Sequence, residues 1–397
     1  MTRRWHADEI VRLFFIFLKL GLTSFGGPVA HLGYFRQEFV VKRGWFNEQA
    51  YTDIVALCQF LPGPASSQVG MAIGLSRAGI AGALVSFLGF TLPSALALTM
   101  FALGLHDFGS QLGSGWVHGL KVVAVAVVAQ ALWGMGKTLA PDARRATIAV
   151  AAAVLVALLP SSFVQIAAIL LAALCGMVLL KAPTVPHDTA LAMPVSRLAS
   201  MLSLILFVLL LGLLPVLAQR CGSYPLQLLS GFYRAGALVF GGGHVVLPLL
   251  QAQVVPSGWV SNDVFLAGYG AAQAVPGPLF TFAAFLGAIA APTPHGWLGA
   301  LIATLAIFLP GFLLIVAAAP WWQLLRRYDL VRRAMLGVNA AVLGLLLNAF
   351  YQPVWTSAIH SAADFCLGIA AFLLLVHRKW PPWLGVALSA VAAALFL

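Results

Sequence analysis

The sequence predicts an all-α, polytopic integral membrane protein made of two inverted-topology repeats with discontinuous, Gly/Pro-broken helices. Three observations predict it: a composition too apolar for a water-facing surface, motifs that recur at one offset, and loop charges that alternate between two halves.

Of the 397 residues, 61% are hydrophobic and 8% charged, against about 25% charged in a soluble domain. Apolar runs at 80–105, 147–180, 198–217 and 363–376 approach or exceed the roughly 20 residues that cross a bilayer as a helix. The opening MTRRWHADEIVRL reads as a short amphipathic lead-in on the cytoplasmic side, and no removable signal peptide is expected. A net charge of +11 would suit nucleic acid, but the basic residues are spread through short loops, so no such partner is expected. Cys58, Cys175, Cys221 and Cys366 have no CxxC spacing and the nine histidines are scattered, so neither a disulfide framework, a metal site nor a cofactor is expected. A GxxxxGK[ST] phosphate loop is missing. So is the cluster of His, Asp, Glu or Cys at one membrane face that a membrane enzyme would need.

The repeat comes next. SFGGP at 24–28 recurs as VFGGG at 239–243, GW at 44–45 recurs at 258–259, and QFLPGP at 59–64 recurs as QAVPGP at 273–278. GAL at 82–84 recurs at 299–301 and LP at 92–93 recurs at 309–310, so the register holds. The chain therefore divides into an N-terminal repeat at 1–180, a linker with a connecting helix at 181–219, and a C-terminal repeat at 220–397. Counting half-segments gives roughly six plus one plus six apolar segments.

Loop charge sets orientation. RQEFVVKRG (36–44) is basic while LQAQVVPSG (250–258) has no Lys or Arg; GKTLAPDARR (136–145) is basic while PVWTSAIHS (353–361) is not. The bias then flips, with LLRRYDLVRRA (324–334) and HRKW (377–380) carrying the charge that 105–119 and 159–162 lack. Lys and Arg in short loops mark the cytoplasmic side, so the halves are expected to lie antiparallel, with the N-terminus cytoplasmic in the cell inner membrane.

The breaks carry the chemistry. Broken backbone at membrane depth is tolerated only where protein or a water-filled cavity satisfies it, and the helix that restarts after a break offers free amides and a positive dipole end to an anion. Candidate substrate-binding residues are therefore Ser24, Gly26, Gly27, Gln59, Pro62, Gly63 and Pro64 in the first half. In the second they are Gly241, Gly242, Gly243, His244, Gln273, Pro276, Gly277 and Pro278. Lys19 and Arg234, each six residues before FGG, are matched cations in apolar stretches, suited to an anion or to snorkelling at the interface. Glu38, Asp53 and His31 are candidates for proton coupling, Asp53 equally for a helix cap. A hydrogen-bonded core role is an equal reading for His31 and His244. Asn339 and Asn348 line a cavity or hold helices together. Trp321, Trp322, Trp355, Trp380 and Trp383 read as interfacial anchors.

With these residues in view, the chain resembles the chromate ion transporter family in its long, two-domain form. The resemblance rests on FLKLGLTSFGGPVAHLGYFRQEFV, FLPGPASSQVGMAIG, GFYRAGALVFGGGHVVLPLL and QAVPGPLFTFAAFLG and runs through both halves. It implies thirteen segments in antiparallel halves, and a secondary transporter that exports chromate and confers chromate resistance. Sulfate, a tetrahedral dianion of similar size, is the natural competitor. The open alternatives are a sulfate or other oxyanion carrier on the same scaffold, and an anion channel. Besides the bilayer and the oxyanion, a homodimer is among the assemblies the sequence allows. Gly243 stands where the first half has Pro28, which makes the halves unequal.

Overall fold

The computed structural model describes residues 7–108, 115–159, 162–181, 193–240, 243–325, 328–378 and 380–396. Helices dominate, and no strand occurs among the described residues. The chain is an all-α polytopic membrane protein.

Helix α1 (Ala7–Thr23) stops at a break, and α2 (Gly27–Arg36), continued by a π-helical turn at Gln37–Lys42, turns back beside it. Gly26 and Gly27 take φ of 97° and 79°, a region open to glycine without steric cost, and Pro28 fixes the first turn of α2. Phe17 of α1 stacks on Phe39 at 5.2 Å and meets the edge of Phe35 at 5.9 Å, so the arms form an antiparallel hairpin. A second hairpin follows. Helix α3 (Glu48–Phe60), capped by the Asn47 side chain, runs to the PGP break, and α4 (Ala65–Phe108) restarts the helix. Ala78 and Gly79 leave helical geometry. A side chain added at Gly74 would collide with the Gly82 carbonyl, and the reverse holds. Eight helical residues would separate the two by about 12 Å, so α4 folds back on itself. Its short arm, 65–77, closes the second hairpin, and its long arm, 80–108, leaves it.

Both hairpins open at the same end of the molecule. Arg36 donates to Glu48 at 2.9 Å, Arg77 donates to Glu9 at 2.8 Å, and the Arg77 guanidinium lies 4.7 Å over the Trp45 ring. The long arm of α4 runs to the opposite end, where Phe101 meets Trp116 at 6.2 Å and Leu103 touches Gly296. Helices α5 (Gly115–Leu139), α6 (Ala143–Leu158) and α7 (Ser162–Leu179) complete the first half. Residues 182–192 of the expected linker lie outside the described residues, and most of the rest is α8 (Arg197–Cys221). Only 11% of the apolar window of α8 is buried, which leaves most of its surface for lipid.

Two further hairpins follow in the second half. Helices α9 (Tyr224–Leu238) and α10 (Val246–Val254) flank the second FGG break, and α11 (Asn262–Ala274) and α12 (Phe282–Ile289) flank the second PGP break. The open ends of these hairpins gather where Tyr224 meets Trp259 at 4.9 Å, Ala291 N–H donates to the Trp259 carbonyl, and Lys121 of α5 bonds Asp263 at 3.0 Å. Helix α13 (Gly296–Ala318) runs back to the first end, followed by α14 (Trp322–Leu325), α15 (Asp329–Ala349), α16 (Thr356–Ala358), α17 (Ala362–Val376) and α18 (Pro382–Phe396). There Trp322 is buried and donates to Asp53 at 3.0 Å, while Trp321 donates to Ser200 at 2.9 Å. Trp322 therefore ties two halves together, whereas Trp321, Trp380 and Trp383 are exposed as membrane anchors would be.

Among the described residues, five helices are long and apolar enough to cross a membrane. The broken segments are short arms that enter and return, so crossings are fewer than apolar segments. In a cysteine-free background, Lys42→Cys and Ser257→Cys are expected to react with a membrane-impermeant maleimide from opposite faces of the bilayer. Labelling of both from one face would contradict the two-ended arrangement.

Candidate functional site

Hydrogen bonds cross between the halves at the described parts of the hairpin tips. Gly63 N–H, in the first PGP, donates to the Val239 carbonyl at 2.7 Å; Gly277 N–H, in the second, donates to the Ser24 carbonyl at 2.9 Å. Val239 and Ser24 each stand immediately before an FGG motif. Each PGP tip is thus tied to the FGG tip of the other half. A left-handed turn aims these amides, with φ of 127° at Gly63 and 104° at Gly277. The fit around both is close: a Cβ at Gly63 would lie 3.3 Å from the Gly311 Cα, and one at Gly277 would lie 2.8 Å from the Ser94 hydroxyl. Gly311 and Ser94 each follow the proline inside a long helix, Pro310 in α13 and Pro93 in α4.

These bonds alter one expectation. The PGP glycine amides are engaged and are not free donors for an anion. The start of α2 is uncapped, with a left-handed N-cap Gly26 and no side-chain cap bond, and the starts of α10 and α12 are uncapped as well. Ser24 Oγ, His31 Nδ1, Ser67 Oγ, Gln68 Oε1 and Gln273 Nε2 are buried polar atoms without hydrogen-bond partners, on or close in sequence to the tips. Buried polar atoms are ordinarily satisfied. His244, held by Tyr269 at 2.7 Å through Nδ1, presents Nε2 toward Gly27 across the interface, 3.9 Å from where a Cβ there would stand. His31 Nε2 lies 3.2 Å from the Ser24 carbonyl.

The remaining candidates separate. Pro62 offers its carbonyl to Gln68 Nε2 at 2.8 Å, Pro64 packs on Gly311, and Pro276 and Pro278 frame the second PGP turn. Gln59 is exposed on α3, and the interior glutamine of that motif is Gln68, fully buried. Lys19 is exposed on α1. Arg234 turns away from the tips to bond Gln253 on the returning arm at 3.0 Å. Glu38 pairs with Arg43 at 2.7 Å, and Asp53 accepts from Trp322. Asn339 and Asn348 are half-buried on α15. Gly241 and Gly242 lie outside the described residues. Gln68, Ser94, Tyr269 and Gly311 join the site without a signal of their own in the sequence, although Gln68 lies within the FLPGPASSQ stretch.

Gly243 and Pro28 occupy matched positions in the repeat, and they touch: a Cβ on Gly243 would lie 3.0 Å from Pro28 Cγ. A second proline ring at 243 would crowd the Pro28 ring, and glycine there leaves it room. Gly243→Pro is expected to lower the unfolding midpoint in detergent, and the exchange Pro28→Gly/Gly243→Pro to recover most of it. An exchange no more stable than Gly243→Pro alone would contradict that account.

The sequence model of a family described as chromate transporter matches residues 11–177 and again 226–394. Over 388 residues the chain is 27% identical to a probable chromate transport protein of Synechococcus elongatus, covering 96% of this chain and 94% of that one. It is 28% identical over 346 residues to a chromate transport protein of Pseudomonas aeruginosa, covering 84% and 79%. It is 27% identical over 378 residues to one of Cupriavidus metallidurans, covering 93% and 88%. No solved structure matches the chain.

Proposed function

The chain belongs to the chromate transporter family, and from that premise we propose that it is a secondary transporter exporting chromate from the cytoplasm, with the oxyanion held where the four tips meet. Family membership itself supports chromate transport. The observation that carries the finer reading is the pair of crossed bonds, Gly63 to Val239 and Gly277 to Ser24, beside the uncapped start of α2.

In this reading the two halves are inverted-topology repeats, as in other transporters that bind substrate at the midplane between discontinuous helices. The first-turn amides of α2, the Ser24 hydroxyl, the Gln273 amide and His244 Nε2 surround a doubly charged tetrahedral solute. The helix dipole favours negative charge at that end by about 0.3–1 kcal/mol where solvated, and more where buried. Discrimination against sulfate cannot come from such donors alone, since both anions present four acceptor oxygens. Rocking of one half against the other breaks one crossed bond at a time and exposes the tips to alternate ends. The membrane potential supplies a driving force of roughly 2.3 kcal/mol per charge per 100 mV, so a dianion leaving a negative interior gains about twice that. Proton coupling through Asp53, Glu38 or His31 is a further element of the proposal, open to test as a pH gradient effect.

Right-side-in and inverted vesicles test this directly. Inverted vesicles holding the protein are expected to accumulate chromate when the lumen is made positive, with saturation and with competition by sulfate. Gly63→Ala and Gly277→Ala, each forcing a side chain into a left-handed turn at roughly 1–2 kcal/mol and crowding the opposite helix, are expected to lower that uptake about tenfold or more while the protein still inserts. Flux linear in chromate without saturation would indicate a channel. Full uptake by both glycine variants would remove the tips from the mechanism.

A further inference from the structure

A second, small cleft lies between α7 of the first half and the α9–α10 hairpin of the second. Its polar lining is Arg234, Gln253 and Gln165, set against Ile169, Leu238 and Leu249. Arg234 donates through Nη2 to Gln253 Oε1 at 3.0 Å, which leaves the Gln253 amide nitrogen as a donor. Among the described residues no carboxylate pairs with Arg234, whereas Arg36, Arg43, Arg77, Lys121 and Arg145 each have one. A half-buried guanidinium in apolar surroundings with only a neutral partner is costly, and its remaining N–H groups are directed donors suited to an oxyanion. The cleft begins at Leu238, next to the Val239 tip, and its polar groups extend outward from there. Gln165 is three residues into α7, and Gln253 is one residue before the end of α10, both toward the end opposite Arg36 and Arg77.

We propose that this cleft is a second oxyanion site, distinct from the tips, which receives a tetrahedral dianion on the non-cytoplasmic side as it leaves. The assignment of sidedness rests on the export reading above; the binding chemistry does not. A phospholipid headgroup presents the same phosphate-type oxygens, so the experiment separates a soluble anion from a lipid.

Equilibrium binding of radiolabelled chromate to the full chain, purified in a maltoside detergent, reads the number of sites. Two equivalents per chain are expected, both displaced by excess sulfate. Arg234→Gln is expected to bind one equivalent with unchanged affinity, and Gln165→Leu to keep both while weakening one about tenfold. Gly277→Ala is expected to lose the other equivalent and keep the Arg234-dependent one. Two undiminished equivalents in Arg234→Gln would overturn the cleft assignment and leave the tip site standing. Loss of all binding in a monodisperse Arg234→Gln protein would overturn the claim of two separate sites. Displacement of the Arg234-dependent equivalent by short-chain phosphatidylglycerol but not by sulfate would make it a lipid site and overturn the proposal. Gly277→Ala retaining both equivalents would instead count against the tip site alone.

Discussion

Backbone amides and carbonyls inside an apolar slab have to be bonded, and this constraint organises the whole molecule. Four helix breaks at mid-depth leave groups that lipid cannot satisfy, each at a cost of several kcal/mol. The structure resolves two of the strongest by pairing them across halves, Gly63 with Val239 and Gly277 with Ser24. Neither half can complete its own tips. The hairpins therefore face one another across the two bonds.

From that pairing much else follows. Close approach of the tips to the long helices requires small residues, and Gly311 and Ser94 supply them beside Pro310 and Pro93. The Pro28 ring packs against Gly243, where a second proline ring would crowd it. Bonds that satisfy the tips in one arrangement have to be remade in another if a solute passes, so the same interaction that closes the centre also defines what a transport cycle has to open. Ser24 and Gln273 keep unpartnered polar atoms in the interior, and His244 Nε2 stands near Gly27 across the interface.

The duplication and the sign of the loop charges were readable because each depends on local sequence alone. PGP and FGG cannot continue a helix, and Lys or Arg in short loops report a side of the bilayer. The reversal at Ala78–Gly79 is hidden, because SRAGIAGALV carries no proline and a helix that folds back has the same composition as one that continues. Whether a broken arm spans or returns is likewise set by tertiary partners such as Glu9 for Arg77. Gln59 drew attention by standing next to the motif, yet helical phase puts it outside and Gln68 inside. Trp322 looked like an anchor on residue type, and only the position of α3 reveals its bond to Asp53. Engagement of the PGP amides is a contact between residues more than 170 apart, beyond the reach of any local pattern.

The most direct measurement is the position of chromium itself, from anomalous scattering of crystals or a cryo-electron density map of the protein with chromate. The account predicts a chromium centre within hydrogen-bonding reach of the first turn of α2, between Ser24, Gln273 and His244. Chromium found only beside Arg234, or only on the lipid-facing surface, would contradict it.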